Sequence, residues 1–400
     1  MSKVTVVDSI MGSGKTSWAL QFINDSPGDK KFIYITPYLD EVQRVIRSAT
    51  NRHFVEPNNN NSEGRKLRSL KELVASERDI CATHSLFQTA DDELIELLTE
   101  AGYTLILDEV MDVIEQANIN RQDIRMLLDS GHIKIEENRV VWMYDDYVEG
   151  RFYDIKLLAK AGNLFMHRDS FLIWSFPPRV FKTFEDVYIL TYLFDGQIQR
   201  YYYDLHGIEY DYRAIRKEGN RYELTGYDRR KENREEVMKL IDLYSGPLNS
   251  IGDRSNALSA SRLRNADEKL LGQIKRNLYT YFRRHCNAKG HEILWTTLKE
   301  REKKLSGNGY TKGFIPCNLR ATNAYGDRWA LAYVFNRFLS PIERAFFEDN
   351  GVTVNQDLLA VSDLLQWVWR SRIRNGQPIC LYLPSSRMRS LLKAWANYEI

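Results

Sequence analysis

The residues best equipped for chemistry stand near the start of the chain: Gly12-Ser13-Gly14-Lys15-Thr16, just after the run Val4-Thr5-Val6-Val7. β-Branched residues in so short a run predict a buried strand. Residues 17–23 have the apolar spacing of a helix. A strand, a glycine-rich turn and a helix N-terminus together make an anion site. Backbone N–H groups and the helix dipole face a phosphate, Lys15 reaches the terminal phosphates, and the Thr16 hydroxyl is offered to Mg2+. Gly12, Ser13, Gly14, Lys15 and Thr16 are therefore the expected nucleotide contacts. The full phosphate-loop pattern has glycine where this chain has Ser9.

The second candidate is Asp108-Glu109, which closes the apolar run Leu105-Ile106-Leu107 ninety-three residues after Lys15. An acid at a strand tip holds Mg2+, usually through water, so Asp108 is expected to share the cation with Thr16. Glu109 is placed to orient and deprotonate an attacking water. Alone the pattern is weak, because strand ends are often capped by acids. Following a phosphate loop in an alternating chain, it predicts nucleotide hydrolysis.

The elements that must position these groups are legible in the first half. Residues 31–36, 79–84 and 103–109 read as strands, with helical spacing between them at Leu39, Val42, Val45 and Ile46 and again around 94–98. That alternation predicts an α/β fold with parallel sheets and a ligand at the carboxyl ends of the strands. Over 131–178 the pattern turns hairpin-like, which predicts a β-rich insertion, and 187–194 resumes the sheet. A strand-rich start at 201–212 opens a second α/β half. Helices are expected there at 270–282, 329–338 and 358–374, and strands at 293–297, 313–317 and 378–383. The expected domains are thus 1–197 and 198–400.

The 400 residues, 43% hydrophobic and 28% charged, allow two or three globular domains. No apolar run approaches the roughly 18 residues of a membrane span, so no membrane partner is expected. The N-terminus has no basic-then-apolar signal pattern. Cys81, Cys286, Cys317 and Cys380 lie far apart with no Cys-x-x-Cys pair, which speaks against a zinc or disulfide framework and for a reducing cytoplasm (the host's, for a viral chain). The net charge of +2 hides an asymmetry: residues 81–130 carry eleven acids and two bases, residues 251–320 fifteen bases and six acids. Solvated helix faces explain any one such cluster; a basic second half also suits a polyanion groove.

Taken together, Ser9-Ile-Met-Gly-Ser-Gly-Lys-Thr16, Ile35-Thr-Pro-Tyr-Leu-Asp-Glu-Val42, Ala82-Thr-His84 and Leu107-Asp-Glu109 resemble successive motifs of superfamily 2 helicases. They are most similar to the DEAD-like replicative helicases of bacteriophages, which resemble herpesvirus origin-binding helicases. The resemblance implies two RecA-like P-loop NTPase lobes, ATP and Mg2+ as cofactors, Lys15, Asp108 and Glu109 at the reaction, and Thr36 on the nucleic-acid backbone. Ile189-Leu-Thr-Tyr192 stands where the family's coupling motif belongs, with Tyr192 in place of a small residue. Residues 317–325 occupy the place of the fifth motif. Gln366-Trp-Val-Trp-Arg-Ser-Arg-Ile-Arg374 resembles the sixth, implying Gln366 at the nucleotide and Arg370 and Arg374 at the transferred phosphoryl group. Here the chain departs from the family: Trp369 replaces a glycine, and Ile373 stands where the second arginine falls.

Thr36, Arg320, Asn323, Arg387 and Arg389 are the expected phosphate-backbone contacts. Trp295, Trp329, Trp367 and Trp369 suit base stacking, although tryptophans at such spacing are more often core. The implied activity is that of an ATP-dependent helicase or translocase on single-stranded or forked DNA, in phage replication or recombination, with replication proteins as partners. Composition does not choose DNA over RNA. Three other readings stay open at this point: a small-molecule kinase, a nucleic-acid-binding origin-recognition or regulatory protein with little ATPase, and a viral packaging ATPase.

Overall fold

The computed structural model describes residues 3–317 and 324–400. They pack as two units, one of Met1–Asp8, Gly14–Thr225 and Ser340–Val354, the other of Ser9–Ser13, Gly226–Leu339 and Asn355–Ile400.

The first unit is built on an eight-stranded sheet in the order Arg221–Gly226, Tyr210–Glu218, Lys3–Asp8, Asp186–Thr191, Tyr103–Asp108, Lys31–Thr36, Asp79–Thr83, Phe54–Val55. From Tyr210–Glu218 onward every neighbouring pair is parallel. Side chains alternate across a strand, so each apolar strand supplies two faces. Val7, Phe32, Tyr34 and Ile106 pack beneath the helices Lys15–Asp25 and Leu39–Ser48. Val4, Val6, Ile33, Ile35, Leu105 and Leu107 fill the opposite face with Leu70, Leu94 and Tyr201–Tyr203 side chains from the helices there. The central strand Tyr103–Asp108 is buried along its whole length.

The insertion is a five-stranded antiparallel sheet, Ile114–Gln116, Phe171–Ser175, Leu164–His167, Arg139–Trp142, Ile133–Glu136. It has its own core, with Ile124 and Leu127 of one helix and Ile155 and Ala159 of another. It therefore starts earlier than the expected 131, at Ile114.

Two boundaries differ from the sequence expectation. Residues 198–225 belong to the first unit: Ile198–Leu205 is a helix, and Tyr210–Glu218 pairs in parallel with the strand Lys3–Asp8 (Val4 opposite Tyr210, Val7 opposite Arg213). Ser340–Val354 also returns to that unit. Its helix Pro341–Asp349 buries Phe347 against Tyr201, with ring centroids 5.6 Å apart, and Asp349 accepts from Arg168 at 2.7 Å.

The second unit holds a four-stranded parallel sheet, Ile241–Leu243, Ile379–Tyr382, Ala330–Tyr333, Ile293–Thr296. The helix expected at 329–338 is the buried strand Ala330–Tyr333, because a short continuous apolar run fits either element and only its partners decide. The strand expected at 313–317 is a 3-10 turn, Thr311–Gly313, followed by a single bridge from Phe314 to Trp295. The α/β class, the parallel sheets and the β-rich insertion are as expected. Among the described residues, no helix is long and apolar enough to cross a membrane.

Candidate nucleotide-binding site

The phosphate-loop strand ends at Asp8, which is fully buried. Its two carboxylate oxygens accept the backbone N–H groups of Leu193 (2.9 Å) and Phe194 (3.0 Å). Asp8 thus pins the turn that follows the neighbouring strand Asp186–Thr191, where Leu193 is held at φ 54°. Sequence reasoning assigned Asp8 no role, although it ends an apolar strand just as Asp108 does.

Gly12 and Gly14 have φ of 81° and 95°, a left-handed conformation that glycine adopts without steric cost. Ser13 N–H closes the turn onto the Ile10 carbonyl at 3.2 Å. Gly14 is the N-cap of the helix Lys15–Asp25, and its carbonyl accepts from Trp18 N–H at 2.8 Å. The first turn of that helix carries no acid, so nothing on it offsets the positive end of the dipole. Lys15 and Thr16 are half-buried there. The Ser13 hydroxyl oxygen is buried without a hydrogen-bond partner among the described residues.

Asp108 ends the central strand, and its carboxylate accepts the hydroxyl of the fully buried Tyr34 at 2.9 Å. Burial first, and then repulsion from Glu109, push the Asp108 carboxyl up to about 7; the Tyr34 hydrogen bond and the Arg44 charge pull the other way. A ring nitrogen of His84 lies 3.0 Å from the Asp108 carbonyl oxygen. Glu109 is in the left-handed region at φ 65°, a conformation that costs a non-glycine residue on the order of 1–3 kcal/mol. The neighbouring bonds hold it there: Glu109 N–H donates to Leu190 O (2.9 Å), Met111 N–H to the Gln199 side-chain oxygen (2.9 Å), and Gln88 to Asp112 O (2.6 Å). One Glu109 carboxylate oxygen is buried with no partner among the described residues.

Register sets Asp8 opposite Thr191 and Leu190 opposite Asp108, so the phosphate-loop strand and the carboxylates finish at one end of one sheet. Two left-handed glycines at a helix N-terminus suit a phosphate. The Ser13 and Glu109 oxygens suit a hydrated Mg2+ and a water, and Asp108 serves a cation in its ionised form. The residues present therefore fit Mg-ATP.

Several expected contacts have other roles. Thr36 is fully buried at its strand end, its hydroxyl without a partner among the described residues, so it offers nothing to a nucleic acid at the surface. Arg387 is an internal anchor: it pairs with Asp357, donates to the Asn336 side chain (3.0 Å) and the Arg337 carbonyl (2.7 Å), and lies 4.1 Å over the Phe338 ring. Arg389 clamps a turn through Leu383 O (2.8 Å) and Pro384 O (2.5 Å). Arg320 and Asn323 lie outside the described residues. Trp295 and Trp367 are fully buried core, and Trp295 donates to Tyr310 O at 2.9 Å. In the second unit, Gln366 is buried in the helix Gln356–Val368, Arg370 is half-buried just beyond it, and Arg374 is exposed in the 3-10 turn Arg372–Asn375. Arg372 stacks over Trp329 at 5.5 Å and donates to Pro378 O at 2.6 Å.

Residues 235–396 match the YonV C-terminal Rossmann-like domain, and residues 114–174, the five-stranded insertion, match the YonV middle domain. Over 414 aligned positions the chain is 44% identical to the SPbeta prophage-derived uncharacterized protein YonV of Bacillus subtilis strain 168, with 100% of both sequences covered. Among solved structures it is similar to S. tokodaii Xpd4, with a TM-score of 0.47 and 12% identity over 100% of this chain and 94% of that one. It is also similar to the DUF1998 helicase MrfA bound to DNA and AMPPNP, with a TM-score of 0.36 and 11% identity, and spans 48% of that protein.

Proposed function

The chain belongs to the YonV family, and from that premise we propose that it is an ATP-dependent nucleic-acid helicase or translocase, acting on single-stranded or forked DNA in phage replication or recombination. One observation carries the reading: a glycine-bent phosphate loop and an Asp-Glu pair finish at the same end of a parallel sheet, with oxygens to spare on Ser13 and Glu109. Phosphate-loop backbone groups and Lys15 would hold the triphosphate, and Thr16 and Asp108 would hold Mg2+. When bound, Mg-ATP supplies the phosphoryl group and a cation that draws off its charge. Glu109 orients the attacking water and takes its proton. Arg370, with Arg374 second, serves the charge that builds on the equatorial oxygens. The basic excess of residues 251–320 supports a polyanion partner, and a prophage relative supports the phage setting. Stepping then follows from a grip on the strand that differs between nucleotide states.

The test is the rate of ATP hydrolysis with and without single-stranded DNA, for wild type and Lys15→Ala. Stimulation by DNA in the first and near-absence of turnover in the second are expected. A Lys15→Ala protein with full turnover refutes the site. DNA binding by the wild type with no turnover makes the chain a regulatory binder instead.

A further inference from the structure

The hairpin Tyr210–Glu218/Arg221–Gly226 is an addition to the free edge of the phosphate-loop strand, and it brings one aromatic ring onto the loop itself. A Cβ placed on Gly14 would lie 2.1, 2.6 and 2.9 Å from three ring carbons of Tyr222, so the ring rests directly on that peptide. Its position is fixed through the backbone. The Gln21 side chain donates to Tyr222 O and accepts from Tyr222 N–H, both at 3.0 Å, which ties the ring to the helix that begins at Lys15. Lys217 holds its ammonium 5.7 Å from the ring centroid. Ile215, Leu224 and Tyr222 pack against the core cluster of Trp18 and Ile23, yet Tyr222 stays only half-buried and its hydroxyl makes no hydrogen bond to the described protein.

A triphosphate seated on a helix N-terminus directs its ribose and base away from that helix end, and a flat base needs a flat neighbour. We infer that Tyr222, carried by the edge hairpin, is the stacking surface for the base of the nucleoside triphosphate, with Lys217 as the accompanying cation. Tyr222 is thus the residue that makes this site prefer a nucleotide over a bare polyphosphate. The inference rests on the phosphate-loop reading above and adds the base-recognising element to it.

Isothermal titration of wild type, Tyr222→Ala, Tyr222→Leu, Tyr222→Phe and Lys15→Ala with Mg-ATP and with Mg-tripolyphosphate tests it, because tripolyphosphate has the phosphates and no base. The leucine variant keeps apolar bulk against Gly14, so its folding does not depend on the ring. Loss of a base stack weakens ATP binding about tenfold in the alanine and leucine variants, leaves tripolyphosphate unchanged, and spares the phenylalanine variant. Parallel loss of both probes in the leucine variant overturns the inference and makes Tyr222 a buttress of the loop; unchanged ATP affinity overturns it as well. Lys15→Ala loses both probes if the phosphate loop is the site. If it keeps both, the nucleotide reading itself fails and this inference falls with it.

Discussion

The Tyr34 hydroxyl is a small group on which the behaviour of Asp108 depends. Its hydrogen bond lowers the tendency of that buried carboxyl to stay protonated, while burial and Glu109 raise it. A carboxylate that holds a cation must be ionised, so loss of the bond moves the acid limb of activity to higher pH. Tyr34→Phe is expected to shift the lower limb of the pH–rate profile of ATP hydrolysis upward by about one unit. An unmoved limb would leave Tyr34 a packing residue. Arg370→Ala addresses a different term. Removing an arginine that serves only the transition state lowers kcat by on the order of 10^3 while nucleotide binding persists. Rapid-quench hydrolysis beside fluorescent-nucleotide titration separates the two, and lost binding would assign Arg370 to packing.

At the scale of elements, the site is shaped by how strands end. Asp8, Asp108 and Thr36 all close strands of one parallel sheet, and each side chain is buried there. Asp8 joins its strand to the next one by accepting two buried N–H groups. Asp8→Ala leaves both unsatisfied, at about 1–3 kcal/mol apiece, and a drop in unfolding free energy of about 2–5 kcal/mol is expected from urea titration. A loss under about 1 kcal/mol would show that water replaces the carboxylate. Local pattern foretold that strands 31–36 and 103–109 would exist. It did not foretell that Thr36 would be sealed, because burial of a strand end depends on what packs over it.

The first unit as a whole carries a pH response. His167, which faces Asp349, Arg168 and the Phe346 ring, and His206, which faces Lys182 and Tyr202, both have pKa values pushed below the ordinary histidine range, in each case by burial first. The fold therefore prefers both rings neutral. Their contribution to stability is complete above the unfolded pKa of about 6.5 and is lost as pH falls through the lower folded values. Asp108, which burial holds up to about 7, takes up a proton over the same range and acts in the opposite direction, so the histidine share is read as a difference: between pH 7.5 and pH 5 the urea midpoint of His206→Gln is expected to gain relative to that of wild type. Equal pH slopes for the two proteins would overturn the assignment. The same unit draws its core from segments far apart in sequence, since Phe347 of the returning helix Pro341–Asp349 packs on Tyr201.

Sequence alone determined the strand, glycine-bent turn and helix at the start of the chain, the Asp-Glu strand end, the α/β alternation and the insertion, because each is a local arrangement of residue types at fixed spacing. Glycines at 12 and 14 and an apolar run before Asp108 mean the same thing wherever the chain goes. Tertiary structure alone decided which distant segments meet: the Tyr210–Glu218 strand beside the phosphate-loop strand, the Tyr222 ring on Gly14, the Tyr34 hydroxyl on Asp108, and Arg387 turned inward to Asp357. A tyrosine or an arginine carries no sign of its partner in its neighbours. Its role is set by which groups the folded chain brings within hydrogen-bonding reach.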